Sequence, residues 1–397
     1  MLALVGYGAV RLTHQPANTP DAVASSSAPP PSSAPPERDG WPVTAGACGS
    51  QAPRPLIDAD PVGGHTGLRL LVGGAELAEV DVDYAEVRTR SEVPQADRNQ
   101  ARTLVGHGTD AYALVAPCEG ARPGSVFRVS GRGEVRRVRL SGPVDALIGG
   151  PSGVLGVDYP PDDATPGGSS PVRLRWVGGR TIAVDGSLLP LGVTSAGVVA
   201  LANGEHADGE PPQLVLLDAS TGHVTRTVAG GYPIGVGGDS VVWHGKACQY
   251  LETGPAARCV LHVTDVARGA DRSYRLPAGR MPMSDAVFSP DGGFLALQIS
   301  DSRGDTRYAF DHPGPSSAVA VLDLRSGRLQ VMPGLELPPK TGAGFAFSRD
   351  GRWLAVTVSE GDHGHVLAWR LGSDRLLRSE IRLAGPLDRA PPVLALP

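Results

Sequence analysis

Lysine is almost missing from this chain: Lys246 and Lys340 are the only two in 397 residues, and the formal net charge is -5. Without a basic stripe there is no electrostatic footprint for nucleic acid. Aromatic residues are scarce at 5%, and Trp176, Trp243, Trp353 and Trp369 all fall in segments that read as strands, so a sugar-stacking platform has no support. There is no phosphate loop, no dinucleotide fingerprint and no metalloprotease helix. The apolar stretch MLALVGYGAV at 1–10 is too short to cross a bilayer alone, which takes ~20 residues. The four cysteines lack the CxxC spacing of a structural metal site.

Turn formers are abundant instead, with 53 Gly and 37 Pro, which indicates many short elements rather than long helices. The length exceeds the ~250–300 residues at which a single core stops growing, so the chain is several domains or one domain of repeated units. Its Arg, Ala, Gly, Val and Pro excess resembles proteins of GC-rich actinobacteria. Residues 1–14 read as a truncated membrane anchor or a signal-like segment. Residues 15–56, which open with QPANTPDAVASSSAPPPSSAPPERDG at 15–40, read as an extended Pro/Ser/Ala linker that cannot bury apolar surface. Residues 57–397 are the folded body. An apolar segment, a stalk and a body form the layout of an extracytoplasmic protein, anchored or secreted. TAGAC at 44–48 is no lipoprotein site, because it follows a Pro-rich stalk and not an apolar run.

An even number of cysteines suits disulfides in an oxidising compartment. Cys248 and Cys259 bracket one irregular segment and are the expected pair. Cys48 and Cys118 stand apart and are either a second bond or buried thiols.

The body repeats itself. FSPDGGFLALQIS begins at Phe288, and FSRDGRWLAVTVS begins 59 residues later at Phe347, with seven of thirteen positions identical. Asp-Gly between apolar runs is a hairpin signal, because Gly takes positive φ cheaply. The second run needs an apolar, a small and another apolar residue. The same grammar places Ala111, Val154, Val198 and Val241 at the position of Phe294 and Trp353. The steps between these anchors are 43, 44, 43, 53 and 59 residues. Periods in the low forties with four short strands per unit mark propeller blades. Third strands read at 213–218, 318–323 and 365–370, with tight Gly turns after them at 220–222, 325–327 and 372–374.

Six units do not close a ring. Residues 68–83 read as a third and fourth strand without a first, and PVLALP at 392–397 is a lone strand after the sixth unit. The expected fold is therefore all-β, a seven-bladed β-propeller closed by N- and C-terminal strands, with six blades plus a terminal hairpin as the alternative. The copies at Phe288–Ala296 and Phe347–Ala355 resemble the repeats of TolB-type and WD-repeat-like propellers, F-S-P-D-G-x-x-L-A. That resemblance implies a binding or scaffold role and brings no catalytic residues with it.

Strands alternate in direction, so the connections from second to third strand emerge on one face. They span 117–124, 158–171, 203–213, 244–259, 300–317 and 359–364, and carry thirteen acidic against five basic residues. Binding residues commonly sit on loops held by a rigid scaffold. The candidate ligand-binding set is Asp158, Asp162, Asp163, Glu205, His206, Asp208, His244, Asp301, Asp305, His312, Asp362 and His363. An acidic rim that serves only solubility is the alternative. His363 and His365, two apart, would share one side of a strand and suit a metal, but a ligand site needs more converging groups; no metal or cofactor is assigned. Gly238-Asp239-Ser240 sits at a repeat turn with no placed His partner, and Arg303-Gly304-Asp305 is explained by composition.

The resulting expectation is a non-enzymatic module that binds a protein, peptide or envelope component, with no nucleic acid. The alternative is a propeller hydrolase of lactonase type, or a lyase. Such an enzyme would gather acids and His from several blades at the central channel, where Asp145 and Asp285 are the visible candidates.

Overall fold

The computed structural model describes residues 54–92, 99–117, 124–131, 133–159, 170–202, 211–248, 259–283, 286–301, 316–338, 341–360, 363–384 and 390–396. The chain divides into two compact units at Asp39/Gly40, and every described residue belongs to the second. Among the described residues no helix is long and apolar enough to cross a membrane.

The hairpin grammar becomes seven antiparallel sheets. Blade 1 is Asn99–His107, Asp110–Pro117, Ser125–Val129 and Val135–Arg137. Blade 2 is Ala146–Gly150, Gly153–Asp158, Val172–Trp176 and Thr181–Val184. Blade 3 is Leu188–Thr194, Gly197–Ala202, Gln213–Leu217 and Val224–Gly230. Blade 4 is Tyr232–Gly237, Ser240–His244, Val260–Asp265 and Asp271–Arg275. In blade 5 the innermost strand is interrupted, Arg280–Pro282 then Val287–Phe288, before Phe294–Asp301, Ser317–Asp323 and Leu329–Val331. Blade 6 is Gly344–Phe347, Trp353–Glu360, His363–Arg370 and Leu376–Ala384. All six anchors from the sequence fall in second strands.

The closing blade takes its innermost strand, Val393–Ala395, from the C-terminal end and the other three, Arg69–Val72, Glu76–Asp81 and Glu86–Glu92, from the N-terminal side. Leu70, Leu71 and Val72 pair with Ala395, Leu394 and Val393. Innermost strands then touch in order around the ring, and Val393–Ala395 meets both blade 6 and blade 1. One sequence expectation is corrected here. Residues 68–83 hold the second and third strands, not the third and fourth. In this blade the second-to-third connection is a short Gly turn, so it looked like the tight turn that elsewhere leads to a fourth strand. Residues 56–61 add further stitches: Leu56–Ile57 pairs with Leu335–Glu336, and Asp60–Pro61 runs parallel to the fourth strand of blade 6.

Second strands are buried along most of their length, and Gly153–Asp158 along all of it. Both faces of each sheet are covered by neighbouring blades, which is why these strands read as continuous apolar runs rather than alternating ones. Fourth strands such as Asp271–Arg275 are mostly exposed and polar, which blunts the outer edge. The hub is crowded. A Cβ on Gly150 would sit 1.7 Å from the Val193 carbonyl oxygen of blade 3, and one on Gly235 2.4 Å from that of Ala286 in blade 5.

The repeated sentence builds one turn twice. Ser289 Oγ donates to Asp291 Oδ1 at 2.6 Å, and accepts from Phe294 N at 2.9 Å. Ser348, Asp350 and Trp353 repeat those bonds at 2.6 and 2.9 Å. Gly292 and Gly351 supply φ of 68° and 69°. A second grammar governs the third-to-fourth turns. Gly222, Gly269 and Gly327 each donate an N–H at 2.8 Å to the carbonyl of the Asp four residues earlier, Asp218, Asp265 and Asp323. These Asp side chains accept from backbone N–H groups within the same turn. Both turn types lie on the face opposite the long connections.

Cys248 and Cys259 form the expected disulfide, with Cα atoms 4.7 Å apart, and both are buried in the core between blades 4 and 5. Cys48 and Cys118 lie outside the described residues.

Candidate functional site

The ends of second strands and the starts of third strands root the long connections, so the chemistry of that face begins with what these ends hold. In blade 2, Asp158 ends the second strand and Arg175 lies on the third. Their Oδ2 and Nη2 atoms are 2.5 Å apart, with side chains only 9% and 6% exposed. Arg175 Nη1 also donates to the Ser141 carbonyl at 3.0 Å, and Asp145 Oδ2 accepts from Tyr159 N at 2.7 Å. Burial raises the Asp145 carboxyl above its ordinary value, against the Tyr159 N–H, and the charge of Asp158 adds to the rise. Asp158 is therefore a buried strut and not part of an exposed acidic rim. A carboxylate at the end of a buried strand has to find a cation, and Arg175 is within reach across the ladder.

His244 is also buried rather than presented. It is 7% exposed, stacks on Tyr232 with ring centroids 5.5 Å apart, and burial pushes its pKa below the ordinary value against the Gly245 carbonyl. Asp301 ends the second strand of blade 5 opposite Arg280. Asp239, of the Gly-Asp-Ser triplet, is structural: its Oδ1 accepts from Ser195 N of blade 3 at 2.7 Å. Asp162, Asp163, Glu205, His206, Asp208, Asp305, His312 and Asp362 lie outside the described residues, as do Asp285, Arg303 and Gly304.

His363 is brought into a cluster. It opens the third strand of blade 6, and the ladder sets Glu360 directly opposite it, with His365 opposite Val358. Residues directly opposite share a face, as do residues two apart along a strand, so Glu360, His363 and His365 converge. Glu360 Oε2 is bonded to His365 Nε2 and lies 3.9 Å from His363 Nε2. The two rings meet edge to face, with centroids 4.7 Å apart. Arg54 is paired with Glu360 Oε1, and Arg378 of the fourth strand places Nη2 3.1 Å from Nδ1 and 3.3 Å from Nε2 of His365. Burial holds the His365 imidazole below its ordinary pKa against its bond to Glu360, with help from the Arg378 charge. Burial alone would raise Glu360, but its bond to His365 and the charges of His365, Arg54 and His363 hold it below the usual carboxylate range.

Reading the His-x-His spacing found two members of this cluster. It missed Glu360, Arg54 and Arg378, because these arrive from another strand, another part of the chain and a fourth strand. The available signal was the hairpin itself, which folds the last residue of one strand onto the first of the next.

No family model and no curated protein matches this chain. Solved structures do. TolB from Acinetobacter baumannii is similar over 85% of this chain and 68% of its own, at 13% identity and a TM-score of 0.45. A chain of the Mitotic Checkpoint Complex is similar over 84% and 99%, at 13% identity and 0.45. Oligogalacturonate lyase in complex with manganese is similar over 84% and 85%, at 11% identity and 0.43. At such identity the likeness concerns the fold alone.

Proposed function

We propose that this chain is a non-enzymatic, extracytoplasmic binding module that receives a protein or peptide partner on the face of its second-to-third-strand connections. One observation carries the reading: in blades 2 and 4 the acidic and imidazole groups on that face, Asp158, Asp145 and His244, are spent on holding the scaffold, and the convergence of Glu360, His363 and His365 draws on a single blade rather than on several around the channel. A propeller enzyme needs such groups turned together toward one reacting centre. Asp145, the channel candidate from the sequence, instead accepts a backbone N–H. The disulfide in blade 4 supports an oxidising compartment. The excess of acid in the long connections favours a basic partner.

The test uses the full chain and a panel of Arg/Lys-rich peptides as probes. Wild type is compared with a variant carrying Asp162→Asn, Asp163→Asn, Glu205→Gln and Asp208→Asn, which leaves the Asp158–Arg175 strut in place. Peptide binding should weaken between ~50 and ~500 mM salt, because exposed charges are screened over ~8 Å at physiological ionic strength, and should fall in the variant. Binding that is equal in both proteins at every salt concentration would remove this face from the reading.

A further inference from the structure

The cluster in blade 6 asks for an explanation that the binding reading does not supply. Two imidazoles and a carboxylate converge at one hairpin end, and their donor atoms all lie within 4.8 Å of one another. We propose that Glu360, His363 and His365 form a site for a divalent transition metal of the zinc class.

Donor chemistry selects the ion. Two imidazole nitrogens and one carboxylate oxygen suit Zn²⁺, which takes His at ~2.0–2.1 Å and carboxylate at ~2.0–2.2 Å in tetrahedral geometry. Calcium and magnesium favour six or more oxygens and are poorly served by two imidazoles. Tetrahedral bonds of that length put donors roughly 3.3–3.5 Å apart. Glu360 Oε2 and His363 Nε2, at 3.9 Å, need to close by a few tenths of an ångström. The direct bond from Oε2 to His365 Nε2 has to open to admit the ion. The remaining donors, within 4.8 Å, also have to draw together, and side-chain rotation is the motion that would supply all three adjustments while Glu360 stays paired with His363 in the ladder.

The surroundings divide into help and hindrance. Arg54 engages Oε1 and leaves Oε2 as the metal-facing oxygen, the kind of outer contact that orients a ligating carboxylate. His365 is 1% exposed, and the Glu360 and His363 side chains are 13% and 24% exposed. Solvent therefore reaches the cluster from the His363 side, where a fourth ligand would enter. Arg378 works against the ion. Its Nη2 lies within 3.3 Å of both nitrogens of the His365 ring, where it adds a positive charge beside the metal position. A site built this way binds its metal less tightly than its donors allow. Removing the Arg378 charge should strengthen it, which no scaffold-only role of the cluster predicts.

The experiment treats the purified full chain with chelator and titrates it with zinc chloride alone, followed by calorimetry, with cobalt substitution as an optical readout of coordination. Wild type should bind one equivalent and give visible bands of a tetrahedral cobalt site. His363→Gln, at the partly exposed position, should fold normally and lower affinity at least tenfold, in the range seen when supports of metal sites are removed. Glu360→Gln should do the same, and Arg378→Gln should raise affinity several-fold. Failure of wild type to bind zinc would overturn the proposal. Binding that survives in both the His363 and Glu360 variants would place the metal elsewhere and overturn it equally. Affinity unchanged or lowered in Arg378→Gln would overturn the assigned role of that arginine.

Discussion

Deleting residues 392–397 should open the ring. The strand Val393–Ala395 is innermost in the closing blade and shares no peptide bond with the other strands of that sheet. Val393 is 8% exposed and packs in the cluster that includes Leu70, Val80, Ala346 and Ala355. Leu394 and Leu396 are half-buried against Leu71, Leu77, Ala101 and Ala113. Burying Val393 contributes about 2 kcal/mol and each leucine about 1, so the side chains supply roughly 4 kcal/mol. Two flanking bonds, Gly73 N to the Pro392 carbonyl and Leu396 N to the Arg69 carbonyl, both 2.8 Å, are lost with the strand. At about 1 kcal/mol net each they bring the cost to roughly 6 kcal/mol. Domains are stable by only about 5–15 kcal/mol, so this is a large share. An unfolding entropy of ~2.1 cal/mol/K per residue over roughly 340 residues converts it to a fall in Tm of about 8 °C. Differential scanning calorimetry and size-exclusion chromatography on the full chain and the deletion would measure the fall and the aggregation from the newly exposed edge of Arg69–Val72. A second deletion, of residues 1–45, is the control and should melt with the full chain. If the C-terminal deletion melted with them too, the two ends of the chain would not close the ring.

Replacing Cys248 and Cys259 by Ala should cost about 3 kcal/mol, because a closed loop with a sequence separation of 11 restricts the unfolded chain by that much in the entropy model. The corresponding fall in Tm is about 4 °C, and wild type should show the same fall under reducing conditions that leave other bonds intact. Asp291 and Asp350 are held below the usual carboxylate range, mainly by the hydroxyls of Ser289 and Ser348. A depressed folded-state pKa means stability that is present above the unfolded value near ~4 and lost as pH falls through the folded value. Asp291→Ala with Asp350→Ala should therefore melt earlier than wild type at neutral pH, and the two curves should converge in acid; a gap that persists at low pH would refute the assignment.

The sequence by itself determined the repeat, and with it the blades. The Ser-x-Asp-Gly turn closes its own bonds within six residues, Ser289 to Phe294, so its signature survives without knowledge of the rest of the molecule. The Cys248–Cys259 pair was legible for the same reason, being close along the chain. Closure of the ring by PVLALP was also legible, because six repeats leave a strand over at each end, but the other pairings of residues far apart in sequence were decided by the tertiary structure. Residues 68–83 could not reveal which strands of a blade they were until Val393–Ala395 took the place beside them. Asp158 looked like a loop acid because its composition and position were those of one; the cross-strand approach of Arg175 made it a buried strut. Glu360 carried no signal as a ligand until the ladder set it against His363, and Arg378 and Arg54 arrived from other segments. Local hydrogen bonding and periodicity are written in neighbouring letters, whereas burial and the pairing of charges belong to the packed ring and exist only once it has closed.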